Sequence, residues 1–392
     1  MLPLDGVTVV SIEQAVAAPF ATRQLADYGA RVIKIERPDG GDFARSYDGA
    51  VNGLSSYFVW LNRSKQSLTL DLKNPAARDV FDRLIAKADV FVHNLAPGAV
   101  DRLGAAPDVL RARHPRLVTC TISGYGSPGP YDGKKAYDML VQAEVGLVSI
   151  TGSRETPSRV GISVADIAAG MYAYSGILTA LLARAASGEG TSLEVSLFDA
   201  MVEWIATPAY YTAYGGKEPP RSGAAHATIA PYELFLSGDN AEIFLAIQNA
   251  REWTRFCATV IERPGLAADE RFASNAMRVR HRLVLHTAIA EIFARMPAAA
   301  IVARLEAADI AYARRNSVAE FVEHAQLRER GCWQTIDSPA GPLRALLPPL
   351  RMSGADPVMG AVPALGQHSA QILGELGFDA AAIAAWRKEQ MI

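Results

Sequence analysis

Near the start of the chain, Val7-Thr8-Val9-Val10-Ser11-Ile12 is a β-branched run, and the stretch from Pro19 to Tyr28 after it is helix-like and stops at Gly29. Glycine just past the last helical residue is a common C-terminal stop. Arg31-Val32-Ile33-Lys34-Ile35-Glu36 reads as a second strand. Strand, helix and strand within about 30 residues make a βαβ unit, which implies parallel strands covered by helices. The pattern repeats with a strand at Ser67–Leu72, a helix at Pro75–Ala86 with proline near its first position, and a strand at Asp89–His93. A short helix at Pro107–Arg113 and a strand at Leu117–Ile122 continue it.

After this the pattern changes. Gly161-Ile162-Ser163-Val164 leads into a long small-residue helix beginning near Asp166, and Gly188-Glu189-Gly190 turns into a strand at Ser192–Ser196. The Gly- and Pro-dense stretch Tyr214 to Gly223 is the best linker. It sets the expected organisation: a large α/β domain over 1–213, a smaller α+β domain over 214–325, and a C-terminal segment over 326–392. The smaller part opens with a strand at Glu242–Ile247 and is helix-rich from Arg251 to about Ala308. The C-terminal strip reads as loop until a helix at Ser369–Leu376.

Composition narrows the function. The 392 residues include 39 Lys+Arg and 41 Asp+Glu, a net charge of −2, so no basic excess drives nucleic-acid binding. Cys120, Cys257 and Cys332 are widely spaced with no CxxC pair, which fits a reducing, cytoplasmic setting better than a disulfide framework or a zinc site. The opening Met1-Leu2-Pro3-Leu4-Asp5-Gly6 lacks the basic region of a secretion signal. The uncharged stretch Ile167–Ala183 is shorter than the ~20 residues of a membrane span and reads as a buried helix.

Gly124-Tyr125-Gly126-Ser127-Pro128-Gly129 matches a dinucleotide fingerprint in letters, but Pro128 and Pro130 bracket its last glycine where a helix would have to open. It reads instead as a turn that brings backbone close to a ligand or neighbouring chain. Asp166 sits at the start of the small-residue helix and admits two readings: an N-cap, or a nucleophilic carboxylate kept ionised by the helix dipole. Arg37, Arg63, Lys65, Arg102 and Lys134-Lys135 recur at strand ends and turns, where open α/β sheets bind ligands, and together suit a multiply phosphorylated one. The seven histidines show no metal-binding spacing, and no G-x-S-x-G elbow is present.

Longer motifs point to one family. Leu4-Asp5-Gly6-Val7-Thr8-Val9-Val10, Ala18-Pro19, Leu25-Ala26-Asp27-Tyr28-Gly29-Ala30-Arg31-Val32-Ile33-Lys34-Ile35-Glu36-Arg37-Pro38 and Gly40-Gly41-Asp42 resemble the start of the class III CoA-transferases, the formyl-CoA and carnitine CoA-transferase group. Leu61-Asn62-Arg63-Ser64-Lys65, Asn94-Leu95-Ala96-Pro97-Gly98, Ser123-Gly124-Tyr125-Gly126, Val164-Ala165-Asp166 and Pro363-Ala364-Leu365-Gly366-Gln367-His368-Ser369 extend the resemblance in order along nearly the whole chain. It implies a Rossmann-like large domain, a smaller domain, a C-terminal segment returning to the large one, and a homodimer of interlocked chains. It also implies Asp166 as catalytic nucleophile, Arg37 and Arg102 on CoA phosphates, Ala15 and Val16 offering backbone near the thioester and pantetheine, and Lys135 and Tyr137 lining CoA.

The implied chemistry is attack by Asp166 on a donor thioester, giving an aspartyl-acyl anhydride and CoA thiolate; CoA is a substrate, with no tightly bound cofactor and no metal. A carboxylate of ordinary pKa near ~3.9 needs no base at neutral pH. The glycine-run lid of the formyl-CoA members is missing around Arg221-Ser222-Gly223-Ala224-Ala225-His226, which turns the expectation toward dicarboxylic acyl groups, with Arg45 and Lys134 as cations for the distal carboxylate. The alternatives are a 2-methylacyl-CoA racemase and a non-catalytic CoA-binding protein. The racemase is disfavoured because Tyr137 stands where racemases carry histidine. The expected partners are an acyl-CoA, a carboxylic acid and a second copy of the chain, with neither nucleic acid nor membrane.

Overall fold

The computed structural model describes residues 1–392, which form two compact units. The first comprises Met1–Gly146, Val160–Thr207 and Leu327–Ile392; the second comprises Leu147–Arg159 and Pro208–Gln326. The expected large domain of 1–213 thus differs from the first unit by residues 147–159 and 208–213, which cluster with the second. The physical reason lies in Arg221. Its guanidinium donates to the carbonyls of Ser149, Ser153 and Arg154, and Gly223 N–H donates to Gly152 O, so residues 149–154 are stitched to the supposed linker.

In chain order the first part of the molecule runs β1 (Thr8–Ile12), α1 (Ala17–Asp27), β2 (Arg31–Glu36), α2 (Ser56–Asn62), β3 (Lys65–Thr69), α3 (Pro75–Ala86) and β4 (Val90–His93). It continues with α4 (Ala99–Arg102), α5 (Pro107–Arg113), β5 (Val118–Ser123), α6 (Asp138–Glu144), α7 (Leu147–Ile150), α8 (Val164–Ser187) and β6 (Ser192–Ser196). The six strands form one parallel sheet in the order β3-β2-β1-β4-β5-β6. The order reverses between β1 and β4, so the connections leaving their carboxyl ends diverge, which is where open α/β sheets take their ligands. A reciprocal pair of hydrogen bonds braces that point: Gln14 N–H donates to Asn94 Oδ1 and Asn94 Nδ2 donates to Gln14 O.

On one face of the sheet Val10, Ile12, Ile33, Ile35, Leu68 and Phe91 pack under Val80, Phe81, Leu84 and Ile85 of α3. The apolar spacing of α3 is what commits that helix to this face. Strand β3 starts two residues and ends three residues earlier than its hydrophobic run suggests, because its pairing with β2 opens at Val32 and Lys65. Lys65 can occupy a strand position buried to 2% exposure because Glu13 neutralises it. Helix α8 is not buried all round as expected. It has the length and apolarity of a membrane span, with mean hydropathy 1.3, yet seats Ala165, Ala168, Ala169, Ala173 and Ile177 inside and leaves Met171, Tyr172 and Leu182 exposed.

The C-terminal strip holds more than loop: strands β10 (Trp333–Ile336) and β11 (Leu343–Leu346) pair, and Ile336, Leu343 and Ala345 pack with Phe58, Val59 and Val362. The chain then covers the free edge of β3. Ser67 N–H donates to His368 Nδ1, Thr69 N–H to Ser369 Oγ, and His368 N–H to Ser67 O, so the Gly366-Gln367-His368-Ser369 motif satisfies an edge that would otherwise invite pairing with another chain. The second unit is built on an antiparallel sheet, β7 (Tyr232–Leu236), β8 (Glu242–Ala246) and β9 (Ala311–Arg314), with helices around a core of Phe235, Trp253, Phe256, Phe272 and Phe293.

Candidate active site

The topology places the residues implied by the family motifs on connections that leave the carboxyl edge of the parallel sheet, whereas Arg63 and Lys65 stand at the amino end of β3. Ala15 and Val16 follow β1, Arg37 follows β2, Arg102 ends α4 after β4, and Lys135 and Tyr137 lie between β5 and α6. Asp166 is in the first turn of α8, which leads to parallel strand β6 and so begins at the same edge. The loop after β5 folds back on itself at Gly124, where a Cβ would stand 2.2 Å from Ala136 Cβ. No helix opens at Gly124–Gly129; the next begins at Asp138. The glycines therefore return Lys135 and Tyr137 to the end of β5, and no pyrophosphate cradle forms.

Ala15 is held in the left-handed region at φ 60°. Its N–H donates to Asp42 Oδ1, which also accepts from Ala44 N–H, while Asp42 Oδ2 takes Lys34 Nζ at 2.5 Å. Lys34, Glu13, Lys65 and Asn62 complete a buried cluster, with Lys65 Nζ at 2.7 Å from Glu13 and Asn62 Oδ1 accepting from both lysines. Two cations against two carboxylates leave it neutral, which is how so many charges stay buried. Burial by itself would raise the Glu13 carboxyl, but Lys65 and Lys34 hold it below its ordinary value; burial lowers the Lys65 ammonium to about 8. This cluster fixes the strained turn. Val16 at the head of α1 supplies no side-chain cap, so the first amides of α1 are left for another acceptor.

Asp166 is the third residue of α8, not its N-cap. The N-cap position is Ser163, whose side chain makes no capping bond; the cap comes from Asp138, whose Oδ1 accepts from Ala165 N–H at 2.7 Å and from Asp166 N–H at 3.3 Å. The Asp166 carboxylate is half-buried and has no hydrogen-bond or ion-pair partner. Burial, with the neighbouring Asp138 charge, pushes it up to about 7, well above the ordinary value expected from sequence. One turn on, Gly170 lies against the head of α1: a Cβ there would sit 2.7 Å from Ala17 O and 3.0 Å from Phe20 Cδ1. That contact draws Asp166 and the Ala15–Val16 turn together.

The cations divide sharply. Arg63 makes a two-pronged bond to Asp27, Lys65 is taken by Glu13, and Arg45 is bonded twice to Glu36 and lies over the Phe58 ring. Lys134 pairs with Glu144 at 2.6 Å and stands 3.8 Å from the Tyr131 ring centroid. Arg63 and Lys65 are therefore structural, and Arg45 and Lys134, expected to meet a distal carboxylate, are already engaged. The remaining three are available: Arg37 is exposed with only a 3.8 Å contact to Asp39 and a 3.4 Å bond to Gly41 O, and Arg102 and Lys135 are exposed without ion pairs. Tyr137 is 66% exposed. Sequence reasoning missed Asp42, Asp138 and Gln142. The last two are four residues apart on α6, which carries a signal only once that helix is known to face the start of α8.

A family model described as CoA-transferase family III matches residues 4–369. A Mus musculus protein named succinyl-CoA:glutarate CoA-transferase is 33% identical over 392 residues, spanning 98% of this chain and 88% of its own. A Haloarcula hispanica succinyl-CoA:mesaconate CoA-transferase is 31% identical over 387 residues, spanning 95% and 96%. Among solved structures, a CAIB/BAIF family protein from Brucella suis superposes with a TM-score of 0.83 at 33% identity, covering 96% of this chain and 99% of that one.

Proposed function

Because this chain belongs to CoA-transferase family III and is an enzyme that moves CoA between an acyl-CoA and an acid, we propose that its substrates are short dicarboxylates and that Asp166 is the nucleophile. The observation that carries the mechanism is the Asp166 carboxylate itself, half-buried at a helix start and without a partner. A structural carboxylate in that position would be bonded; an unpartnered one is free to react. One Asp166 oxygen attacks the donor thioester carbon, the C–S bond breaks, and CoA leaves as thiolate with an aspartyl-acyl anhydride behind. The thiolate attacks the Asp166 carbonyl, releasing the donor acid and leaving an aspartyl-CoA thioester. The acceptor carboxylate attacks that thioester, and the freed thiolate then takes the new acyl group and restores Asp166.

The uncapped amides at the head of α1, beginning with Val16, suit the oxyanion formed at each addition, whereas the Ala15 N–H is committed to Asp42. Arg37, Arg102 and Lys135 are the cations left for the CoA phosphates, and Tyr137 is a surface on which CoA can lie. The dicarboxylate assignment is supported by the named relatives and no longer by Arg45 or Lys134. Nothing favours a racemase, since the second base it needs is replaced by Tyr137. A homodimer belongs to this reading: within the first unit Met139, Leu140, Met171, Tyr172, Leu182, Val202 and Trp204 are exposed, an apolar content that a lone protomer would leave wet. A cytoplasmic location fits the free thiols of Cys120, Cys257 and Cys332.

The test is mass spectrometry of protein mixed with succinyl-CoA and no acceptor. The expected result is an acyl or CoA adduct on the peptide containing Asp166, absent from Asp166→Asn. An adduct elsewhere, or full turnover by Asp166→Asn, overturns the nucleophile; succinyl-CoA inert beside an active monocarboxylic acyl-CoA overturns the dicarboxylate assignment.

A further inference from the structure

We infer that Asp138 is a positioning residue for the reaction: it holds the first turn of α8 from outside and sets a negative charge beside Asp166, so that the nucleophile is poised and its conversion to a neutral acyl derivative is favoured. The inference rests on Asp166 being the nucleophile.

The geometry has two parts. Asp138 and Gln142 are neighbours on one face of α6, with Gln142 Nε2 donating to Asp138 Oδ2 at 2.6 Å. Asp138 Oδ1 grips the N–H groups of Ala165 and Asp166, while buried Gln142 accepts from Val160 N–H at 3.0 Å and donates to Ile162 O at 3.5 Å. One pair of side chains thus clamps the chain from Val160 to Asp166, and Ser163 at the N-cap position leaves that work to them. The clamp fixes where the Asp166 side chain starts.

The second part is electrostatic. Asp138 accepts three N–H bonds in all, two of them from the head of a helix, which hold its carboxylate beside the first turn of α8. The groups facing Asp166 are then Asp138 on α6 and the phenol of Tyr47, raised to about 12 by burial and by Asp42 and Asp166; the first turn of α1 brings no acidic group, and no cation pairs with Asp166. A second negative charge next to Asp138 is therefore opposed by repulsion in the free enzyme. Acylation removes that charge. The repulsion belongs to the ground state and is released on the way to the anhydride, so it lowers the barrier to the first step.

The experiment compares wild type, Asp138→Asn and Asp138→Ala in single-turnover acylation by succinyl-CoA across pH 5 to 9. Wild type should gain activity through about pH 7. Asparagine keeps the Oδ1 acceptor and loses the charge, so its acid limb should move down by about 1 pH unit while its plateau falls less than that of alanine. Alanine loses charge and clamp together: the same shift, with a plateau lower by about tenfold or more and KM for succinyl-CoA within about threefold. An unmoved limb in Asp138→Asn, or a wild-type plateau in Asp138→Ala, overturns the proposal, as does a wild-type limb near pH 4. If Asp138→Ala does not fold, the wild-type and Asp138→Asn midpoints decide. If wild type forms no Asp166 adduct at any pH, the functional reading has failed separately; a carbon-13 titration of the Asp166 carboxyl in wild type and Asp138→Asn then reads the same shift without turnover.

Discussion

Asp166 shows how a residue's role depends on who satisfies the helix start. From sequence it could be an N-cap or a nucleophile; Asp138 does the capping, so the N-cap reading falls and the proposed nucleophile remains to be tested. Its raised value gives a sign to two measurements. The nucleophile must be ionised, so kcat/KM should climb as pH passes about 7. For stability, a carboxyl whose folded value lies above its unfolded one contributes stability fully below the unfolded value of 3.8 and loses it as pH rises through about 7. Asp166→Asn should therefore lose at least about a thousandfold in activity yet melt higher than wild type at pH 8.5, the gain shrinking toward pH 5. A melting loss equal at both pH values would return Asp166 to a structural role. Arg37→Ala and Arg102→Ala test the opposite kind of residue, exposed and barely engaged. Each should raise KM for acyl-CoA several-fold with KM for the free acid little changed, read by initial-rate kinetics.

At the scale of elements, the site depends on how closely α8 approaches α1. Gly170 is the point of contact, and since a Cβ there would meet the Ala17 carbonyl at 2.7 Å, the backbone itself must move to admit a side chain. Gly170→Ala should destabilise by ~1–3 kcal/mol in urea unfolding and also slow the acylation step, because the Ala15–Val16 turn and Asp166 separate. The edge of β3 offers a contrast far from the chemistry. Ser369→Ala removes the acceptor for Thr69 N–H and should cost about 1 kcal/mol in the same measurement with kcat unchanged. Motif residues thus do unlike jobs: Val164-Ala165-Asp166 opens α8 with an unpartnered carboxylate, while His368-Ser369 closes a sheet.

At the scale of the whole molecule, dilution in sedimentation velocity should yield no folded monomer if the apolar face of the first unit is covered by a second copy, and melting should depend on protein concentration. The alternating strands and helices up to β6 follow from the residues alone, because apolar periodicity and Gly or Pro punctuation act within a few residues: Arg31–Glu36, Pro75–Ala86, Pro107–Arg113 and Ser192–Ser196 are read to the residue. The motif order likewise singles out Asp166, Arg37 and Arg102 as candidates without coordinates. What the sequence leaves open is which charge meets which. Lys65 and Arg63 look like phosphate ligands until Glu13 and Asp27, 52 and 36 residues away in sequence, are found bonded to them. Residues 147–159 join the second unit through Arg221 and Gly223, about 70 residues on. Asp138, 28 residues before Asp166, becomes its neighbour only when α6 folds against α8. Local propensity is a property of neighbouring residues and is written in their order; the pairing of buried charges is a long-range energy, decided only when the tertiary structure excludes water and forces each group to find a partner.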